Sequence, residues 1–111
     1  MKVVLVLGSD TLGRGDNELG QTLLVNFLRA VAFRDDGPQT VVCYNSGVRL
    51  AEIGSQAAPM LEAISRKGAE VLLCGTCVDY FQNRDRLAMG EVSDMPTIVD
   101  RLVVADKVLY T

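Results

Sequence analysis

The residues best suited to chemistry in this sequence are its cysteines, two of which bound the segment Cys74-Gly75-Thr76-Cys77. A deprotonated thiol is a nucleophile, and two thiols at this spacing can close into a disulfide or pass a sulfur atom between them. The sequence contains no histidine, which excludes Ser/His/Asp and Cys/His catalytic pairs and imidazole metal ligands. Covalent chemistry is therefore expected at the thiols and without an imidazole base.

The third cysteine, Cys43, lies inside the apolar run Val41-Val42-Cys43-Tyr44, which predicts a core position. A zinc or iron–sulfur site needs more ligands than one CxxC segment offers, and Cys43 is the only further thiol. We therefore predict no metal and no cofactor. The alternative to a reactive CxxC is a structural one, in which small thiols fill space where a strand meets a helix.

Short apolar runs alternate with helical patterns along the chain and must position these thiols. The predicted strands are Lys2–Leu7, Thr40–Tyr44, Val71–Cys74, Gly90–Ser93 and Lys107–Tyr110. Nearly continuous apolar strands separated by helices are typical of a parallel sheet with right-handed crossovers. The sequence predicts one α/β domain over residues 1–111, with a mostly parallel five-stranded sheet between two helical layers.

The helices are predicted from apolar spacings of three and four and from their caps. The first begins at Asp16 or Asn17 and ends before Gly37-Pro38, and its predicted inner face is Leu19, Leu23, Leu24, Phe27, Leu28 and Val31. The second runs from a Ser55 cap to Gly68, and the third covers Tyr80–Ala88. The last is capped by Asp94 and turns Ile98, Val99, Leu102 and Val103 inward.

The loops after parallel strands meet at one edge of the sheet, where a site is expected. Ser9 and Arg14 lie in the glycine-rich loop after the first strand, Asn45 follows the second, and Thr76 and Cys77 lie in the predicted turn after the third. Arg14 or the next helix N-terminus is expected to lower a thiol pKa, and the loop groups to bind an anion or substrate. The glycine-rich loop lacks the Lys and Ser/Thr of a P-loop.

Composition limits the remaining function classes. The 111 residues are 49% hydrophobic, which excludes a disordered chain, and the net charge of −3 argues against a broad nucleic-acid or anionic-membrane surface. The first apolar run is too short for a signal peptide, no run is long enough to span a bilayer, and three cysteines do not form a secreted disulfide framework. We therefore expect a cytoplasmic protein with free thiols.

A thioredoxin-like redox fold is the first alternative that the CxxC segment suggests. In that fold the motif follows the first long central strand, near the start of the domain. Here two complete βα units precede Cys74, and Pro96 opens a helical pattern instead of forming a proline loop. The motif matches that fold and the predicted topology does not.

Three segments together resemble the DsrE/DsrF-like group of small α/β proteins, many of which carry sulfur as a cysteine persulfide. They are residues 13–20 (GRGDNELG), 44–51 (YNSGVRLA) and 74–81 (CGTCVDYF), with the ending at residues 105–108 (ADKV) also similar. The likeness is greatest to the DsrE-like domain of selenium-metabolism, YedF-type proteins. It implies a three-layer α/β/α sandwich, a homo-oligomer of two, three or six copies, Cys74 as the sulfur-carrying residue and Cys77 as a second thiol.

YedF-type proteins carry a TusA-like domain ahead of this one, so the resemblance also implies a TusA-like sulfur-carrier domain or protein as a partner. Our first hypothesis is a cytoplasmic sulfur- or selenium-handling protein, a persulfide carrier or sulfurtransferase-like protein that uses the strand-end cysteine. The alternatives are a non-catalytic oligomeric module and a dithiol oxidoreductase.

Overall fold

A computed structural model describes residues 1–111, and its centre is a single five-stranded sheet. The strands are β1 (Val3–Leu7), β2 (Thr40–Cys43), β3 (Glu70–Cys74), β4 (Glu91–Ser93) and β5 (Lys107–Tyr110). They lie in the order β4-β3-β2-β1-β5, and every neighbouring pair is parallel. The five predicted strands are confirmed to within one residue at each end.

Four α-helices and two 3-10 helices connect the strands. The α-helices are α1 (Asn17–Ala32), α2 (Ala58–Arg66), α3 (Gly75–Phe81) and α4 (Met95–Val103), and the 3-10 helices are Asn45–Ala51 and Arg84–Arg86. Asp16 and Asp94 cap α1 and α4 as predicted, each accepting a backbone N–H three residues later at 2.8 Å. No helix is both long and apolar enough to cross a membrane.

The strand order explains the three layers. From β1 to β4 each crossover moves one strand in the same direction, and the last crossover returns to place β5 beside β1. Right-handed crossovers put α1, α2 and α3 on one face, where α1 packs against α2, and α4 on the opposite face, where it packs on β3. The fold is therefore the three-layer α/β/α arrangement predicted from the sequence.

The core lies on both sides of β1, β2 and β3, whose residues are almost all buried. From the helices, Leu24, Leu28, Leu61 and Ile98 complete it and are fully buried. The predicted inner faces of α1 and α4 were too wide. Four residues predicted to face inward are instead exposed, Leu19 by 57%, Leu23 by 40%, Val99 by 46% and Val103 by 75%.

The third helix differs most from its prediction. It covers Gly75–Phe81 instead of Tyr80–Ala88, because β3 passes directly into α3 without a connecting loop. After α3 the chain reverses at Gln82, whose φ of 51° is left-handed. Cys77, which was predicted to lie in a loop, therefore lies in the first turn of α3.

Candidate functional site

Hydrogen bonds join the loop after β1, the segment after β2 and the start of α3, which follows β3 directly. The backbone N–H of Asp10, in the first loop, donates to Ser46 Oγ at 3.1 Å. The backbone N–H of Asn45, in the second, donates to the Sγ of Cys77 at 3.0 Å. The convergence predicted from the parallel topology is therefore present, and it leads from the first loop to the CxxC segment.

The two thiols of this segment differ in exposure. Cys74 ends β3, occupies the N-cap position of α3 and is 3% exposed, whereas Cys77 is the third residue of α3 and is half-buried. Gly75 makes the direct strand-to-helix passage possible, because a Cβ there would lie 2.9 Å from the carbonyl oxygen of Ser93 in β4. Solvent and other molecules therefore reach the pair through Cys77.

The pKa of the Cys77 thiol lies above its ordinary value. Burial is the largest cause, the Asn45 N–H opposes it by stabilising the thiolate, and the adjacent Cys74 thiol raises the pKa further. We predicted a lowered thiol pKa, with Arg14 or a helix N-terminus as the cause. At Cys77 the shift has the opposite sign, and no cation is among the groups that act on it. At neutral pH Cys77 is therefore mainly a protonated thiol. For Cys74, the thiol that Arg14 was expected to activate, the expectation stays a prediction.

The other predicted site residues lie at this edge in different roles. Arg14 is exposed and makes no salt bridge and no side-chain hydrogen bond. Ser9 Oγ bonds within its own loop, to the carbonyl, amide and hydroxyl of Thr11. Thr76 is exposed and lines, with Asn45 and Cys77, a shallow pocket of about 330 Å³. Of the four, Asn45 alone bonds to a thiol, and it does so through its backbone.

Asn45 reaches Cys77 because the 3-10 helix that it begins lies close to β1. Asn45 has a left-handed φ of 52°, and its Oδ1 accepts the Ser46 N–H at 2.8 Å. Two residues later, a Cβ on Gly47 would lie 2.2 Å from the carbonyl oxygen of Leu7, so only glycine permits this approach. The 3-10 helix was not predicted, because its residues show no apolar periodicity that would indicate a helix.

The sequence interpretation also missed a pair of tyrosines at this edge. Tyr44 and Tyr110 extend from the ends of β2 and β5, the strands on either side of β1, and their hydroxyls are hydrogen-bonded at 2.5 Å. Burial and the Tyr110 hydroxyl raise the pKa of Tyr44 to about 12, so this phenol stays protonated. Both line a second, mainly apolar pocket of about 420 Å³ together with Cys77. The sequence did contain a signal for this pair, because a tyrosine stands at the end of each of the two strands that lie on either side of β1.

Cys43 is a core residue, as predicted. It is fully buried, and burial raises its pKa to about 12. No group of three or more Cys, Asp or Glu side chains is placed to hold a metal ion. The chemistry available at the site is therefore that of one accessible thiol, one buried thiol beside it, and the neutral hydrogen-bond donors around them.

No protein-family model and no curated protein matches this sequence. Solved structures match it over nearly its full length. The ychN protein from E. coli has a TM-score of 0.75 at 20% identity, covering 99% of this chain and 98% of that one. MTH1491 from Methanobacterium thermoautotrophicum, of unknown function, has a TM-score of 0.69 at 20% identity and covers 99% and 98%.

A third structure, the conserved protein of unknown function BT1422 from Bacteroides thetaiotaomicron, has a TM-score of 0.69 at 15% identity. It covers 99% of this chain and 94% of its own. The ychN protein and MTH1491 have the DsrE-like fold, and this chain shares it. At these identities the likeness establishes the fold alone.

Proposed function

We propose that this chain is a DsrE/DsrF-like sulfur- or selenium-handling protein, in which sulfur enters and leaves through Cys77 and rests on Cys74. The observation that carries the proposal is the unequal thiol pair at the β3–α3 junction, with Cys77 accessible and Cys74 buried directly behind it. A donor thiol from another protein meets Cys77 first. A sulfur atom on Cys74 is sheltered from water and from unselective thiols.

The transfer needs no external oxidant or reductant. Cys77 loses its proton to solvent, the resulting thiolate attacks the outer sulfur of a donor persulfide, the donor S–S bond breaks, the donor leaves as a thiolate, and Cys77 becomes the persulfide. Cys74 then attacks the outer sulfur and takes it over, while its thiol proton passes to the departing Cys77 sulfur. Attack by Cys77 on the inner sulfur of a Cys74 persulfide instead forms a Cys74–Cys77 disulfide and expels hydrosulfide, and external thiols must then reduce that disulfide before the next cycle.

The absence of histidine is consistent with this scheme. Sulfur exchange between thiols requires a thiolate and a leaving thiolate, whereas hydrolysis requires a base that activates water near neutral pH. The groups around Cys77 are neutral donors, above all the Asn45 N–H at 3.0 Å. They stabilise a sulfur anion and do not exchange protons at neutral pH, which favours a carrier over a hydrolase.

The proposal is tested by loading with a cysteine desulfurase and isotopically labelled cysteine, followed by intact masses. The wild type and Cys43→Ser are expected to gain one sulfur atom, Cys77→Ser to gain none, and Cys74→Ser to hold the sulfur on Cys77. Cys43→Ser is the matched control, since it removes the thiol outside the site. No adduct on any variant, or an adduct independent of Cys77, would contradict the proposal.

A dithiol oxidoreductase is the second candidate, and the adjacency of the two thiols favours it. The same masses separate the two functions, because a dithiol enzyme loses two hydrogens on oxidation and gains no sulfur. If neither change occurs, the remaining alternative is the non-catalytic oligomeric module. The apolar side chains exposed on α4 and β5 are compatible with a homo-oligomer in each case.

The cargo and the partner are part of the proposal through the resemblance to YedF-type proteins. A TusA-like sulfur carrier is the expected donor or acceptor, and its persulfide should transfer label to Cys77 faster than free cysteine persulfide does. Repeating the loading with a selenium donor under reducing conditions tests the second cargo. An adduct of selenium mass on Cys77 or Cys74 would support selenium handling.

A further inference from the structure

The apolar pocket beside Cys77 contains the hydroxyl groups of Tyr44 and Tyr110, which have no part in the proposed sulfur exchange. Its lining residues are Tyr44, Asn45, Cys77, Met95, Ile98, Leu102 and Tyr110. None of these side chains is charged, so an anion formed in the pocket depends on neutral donors. The pocket lies on the α4 side of the sheet and holds about 420 Å³, enough for a sulfur atom attached to Cys77.

The donors around Cys77 that are not already in use are one tyrosine hydroxyl and the side-chain amide N–H groups of Asn45. The backbone N–H of Asn45 is bonded to the Cys77 Sγ itself, and the Asn45 side chain is oriented by its Oδ1, which accepts the Ser46 N–H. Between the Tyr44 and Tyr110 hydroxyls, one O–H is spent on their mutual bond of 2.5 Å, which leaves the other O–H free to donate. In a chain of two hydroxyls, the first bond also polarises the second donor.

We propose that the Tyr44–Tyr110 hydroxyl pair donates a hydrogen bond to the outer sulfur of a Cys77 persulfide and so stabilises it as an anion. This inference rests on the proposed function, because it concerns the loaded form of Cys77. Cys77 lines this pocket together with both tyrosines, so an outer sulfur bonded about 2 Å from its Sγ has room there beside their hydroxyls. The tyrosine pair thereby stabilises the persulfide and not the unloaded thiol, whose Sγ accepts the Asn45 N–H.

Phenol hydroxyls suit this role because they remain neutral over the working range. Burial and the bond to Tyr110 raise the pKa of Tyr44 to about 12, so the Tyr44 hydroxyl acts as a donor and not as a base. A hydrogen bond to a charged acceptor is stronger than one to a neutral acceptor, so the pair favours the anionic persulfide over its protonated form.

The test uses the full chain with Cys74→Ser, which keeps the sulfur on Cys77, and loads it with inorganic polysulfide. Tyr110→Phe and Tyr44→Phe remove one hydroxyl each and keep the rings. Tyr80→Phe is the matched control, since Tyr80 is 80% exposed and lines the other pocket beside Cys77. The readouts are the pKa of the persulfide, from its near-ultraviolet absorbance against pH, and its alkylation rate below that pKa.

We expect the substitution that removes the hydroxyl donating to the sulfur, Tyr110→Phe or Tyr44→Phe, to raise the persulfide pKa by about one unit, with a roughly tenfold slower alkylation, as for one lost hydrogen bond to a charge. The other substitution removes only the bond that polarises this donor and should raise the persulfide pKa by less. Tyr80→Phe should leave both unchanged, and alkylation of the unloaded Cys77 thiol should change less than about twofold in all three variants. Persulfide values equal to those of the control would overturn the inference while leaving the proposed function intact. Failure of polysulfide to load Cys77 at all would overturn both.

Discussion

The neighbouring strands β2 and β3 each end in a cysteine, and the two cysteines lie in different surroundings. Cys43 pairs in register with Leu73, so Cys74 lies one position further along the sheet than Cys43. Cys43 is enclosed by core residues and has a pKa of about 12, whereas Cys74 adjoins the accessible Cys77 at the start of α3. A difference of one position in register, and a helix that follows β3 without a loop, distinguish the core thiol Cys43 from the thiol pair of the candidate site.

The largest expected difference between the two regions is in thiol reactivity. Alkylation of native Cys43 requires opening of the core, whose free energy is of the order of 5 kcal/mol or more, whereas Cys77 is open to a reagent. With iodoacetamide and peptide mapping, we expect Cys77 to react at least about a thousandfold faster than Cys43. Urea should abolish the difference. Similar alkylation rates for Cys43 and Cys77 in the native protein would contradict the difference in accessibility between the two regions.

The next largest effect is expected from the glycine that separates the pair. Gly75→Ala places a Cβ 2.9 Å from the Ser93 carbonyl and must displace β4 or α3, so we expect a loss of about 2–4 kcal/mol in the free energy of unfolding. Gly37→Ala is the control, because its Cβ meets no atom closer than 4.0 Å. Urea unfolding measures both, and equal midpoints would show that the β3–α3 passage tolerates a side chain.

The alkaline stability of the protein should depend most strongly on Cys43, with Cys77, whose pKa is also raised, contributing in the same direction in both proteins compared below. Burial raises the pKa of Cys43 from 9.0 to about 12, so the unfolded chain ionises first and stability falls as pH rises above 9.0. Relative to Cys43→Ala, the wild type should lose roughly 2–3 kcal/mol more between about pH 9 and pH 11. The Tyr44 phenol contributes in both proteins and cancels. Parallel curves would mean that Cys43 is accessible to water.

The smallest expected contrast comes from replacing each thiol by a hydroxyl. Cys43→Ser buries a polar group in the core and should cost about 1–2 kcal/mol. Cys77→Ser changes a half-buried side chain on a helix surface and should stay within about 0.5 kcal/mol of the wild type. Thermal or urea unfolding measures the two, and a larger loss for Cys77→Ser would indicate a structural role for that thiol.

The strands and their parallel direction were predictable because β1, and β2 and β3 after their first residues, are runs of Val, Leu and Cys with no helical spacing. The start of α3 was not predictable, because its N-cap is Cys74, which makes no side-chain capping bond, and no Ser, Thr, Asp or Asn marks the position. The exposure of Leu19 and Val99 was missed for another reason. The spacing of apolar residues identifies the apolar face of a helix. How much of that face is buried depends on how far the sheet and the neighbouring helices extend over it.

The site was predictable as a location and only partly as a set of contacts. Parallel strands place Asn45 and Cys77 at one edge, and the structure joins them. That the bond comes from the Asn45 backbone depends on a left-handed residue and on Gly47 packed against Leu7, which no residue pattern encodes. No cation is among the groups that act on Cys77, and the Asn45 N–H bonds to its sulfur instead.

The most direct test of the division between the two regions is to locate the sulfur after a brief loading with desulfurase and labelled cysteine. Trypsin leaves Cys43 and the Cys74–Cys77 pair in different peptides, and fragmentation separates the two thiols of the pair. We predict that label appears first on Cys77, then on Cys74, and never on Cys43. Label on Cys43, or label on Cys74 in a Cys77→Ser variant, would contradict the account.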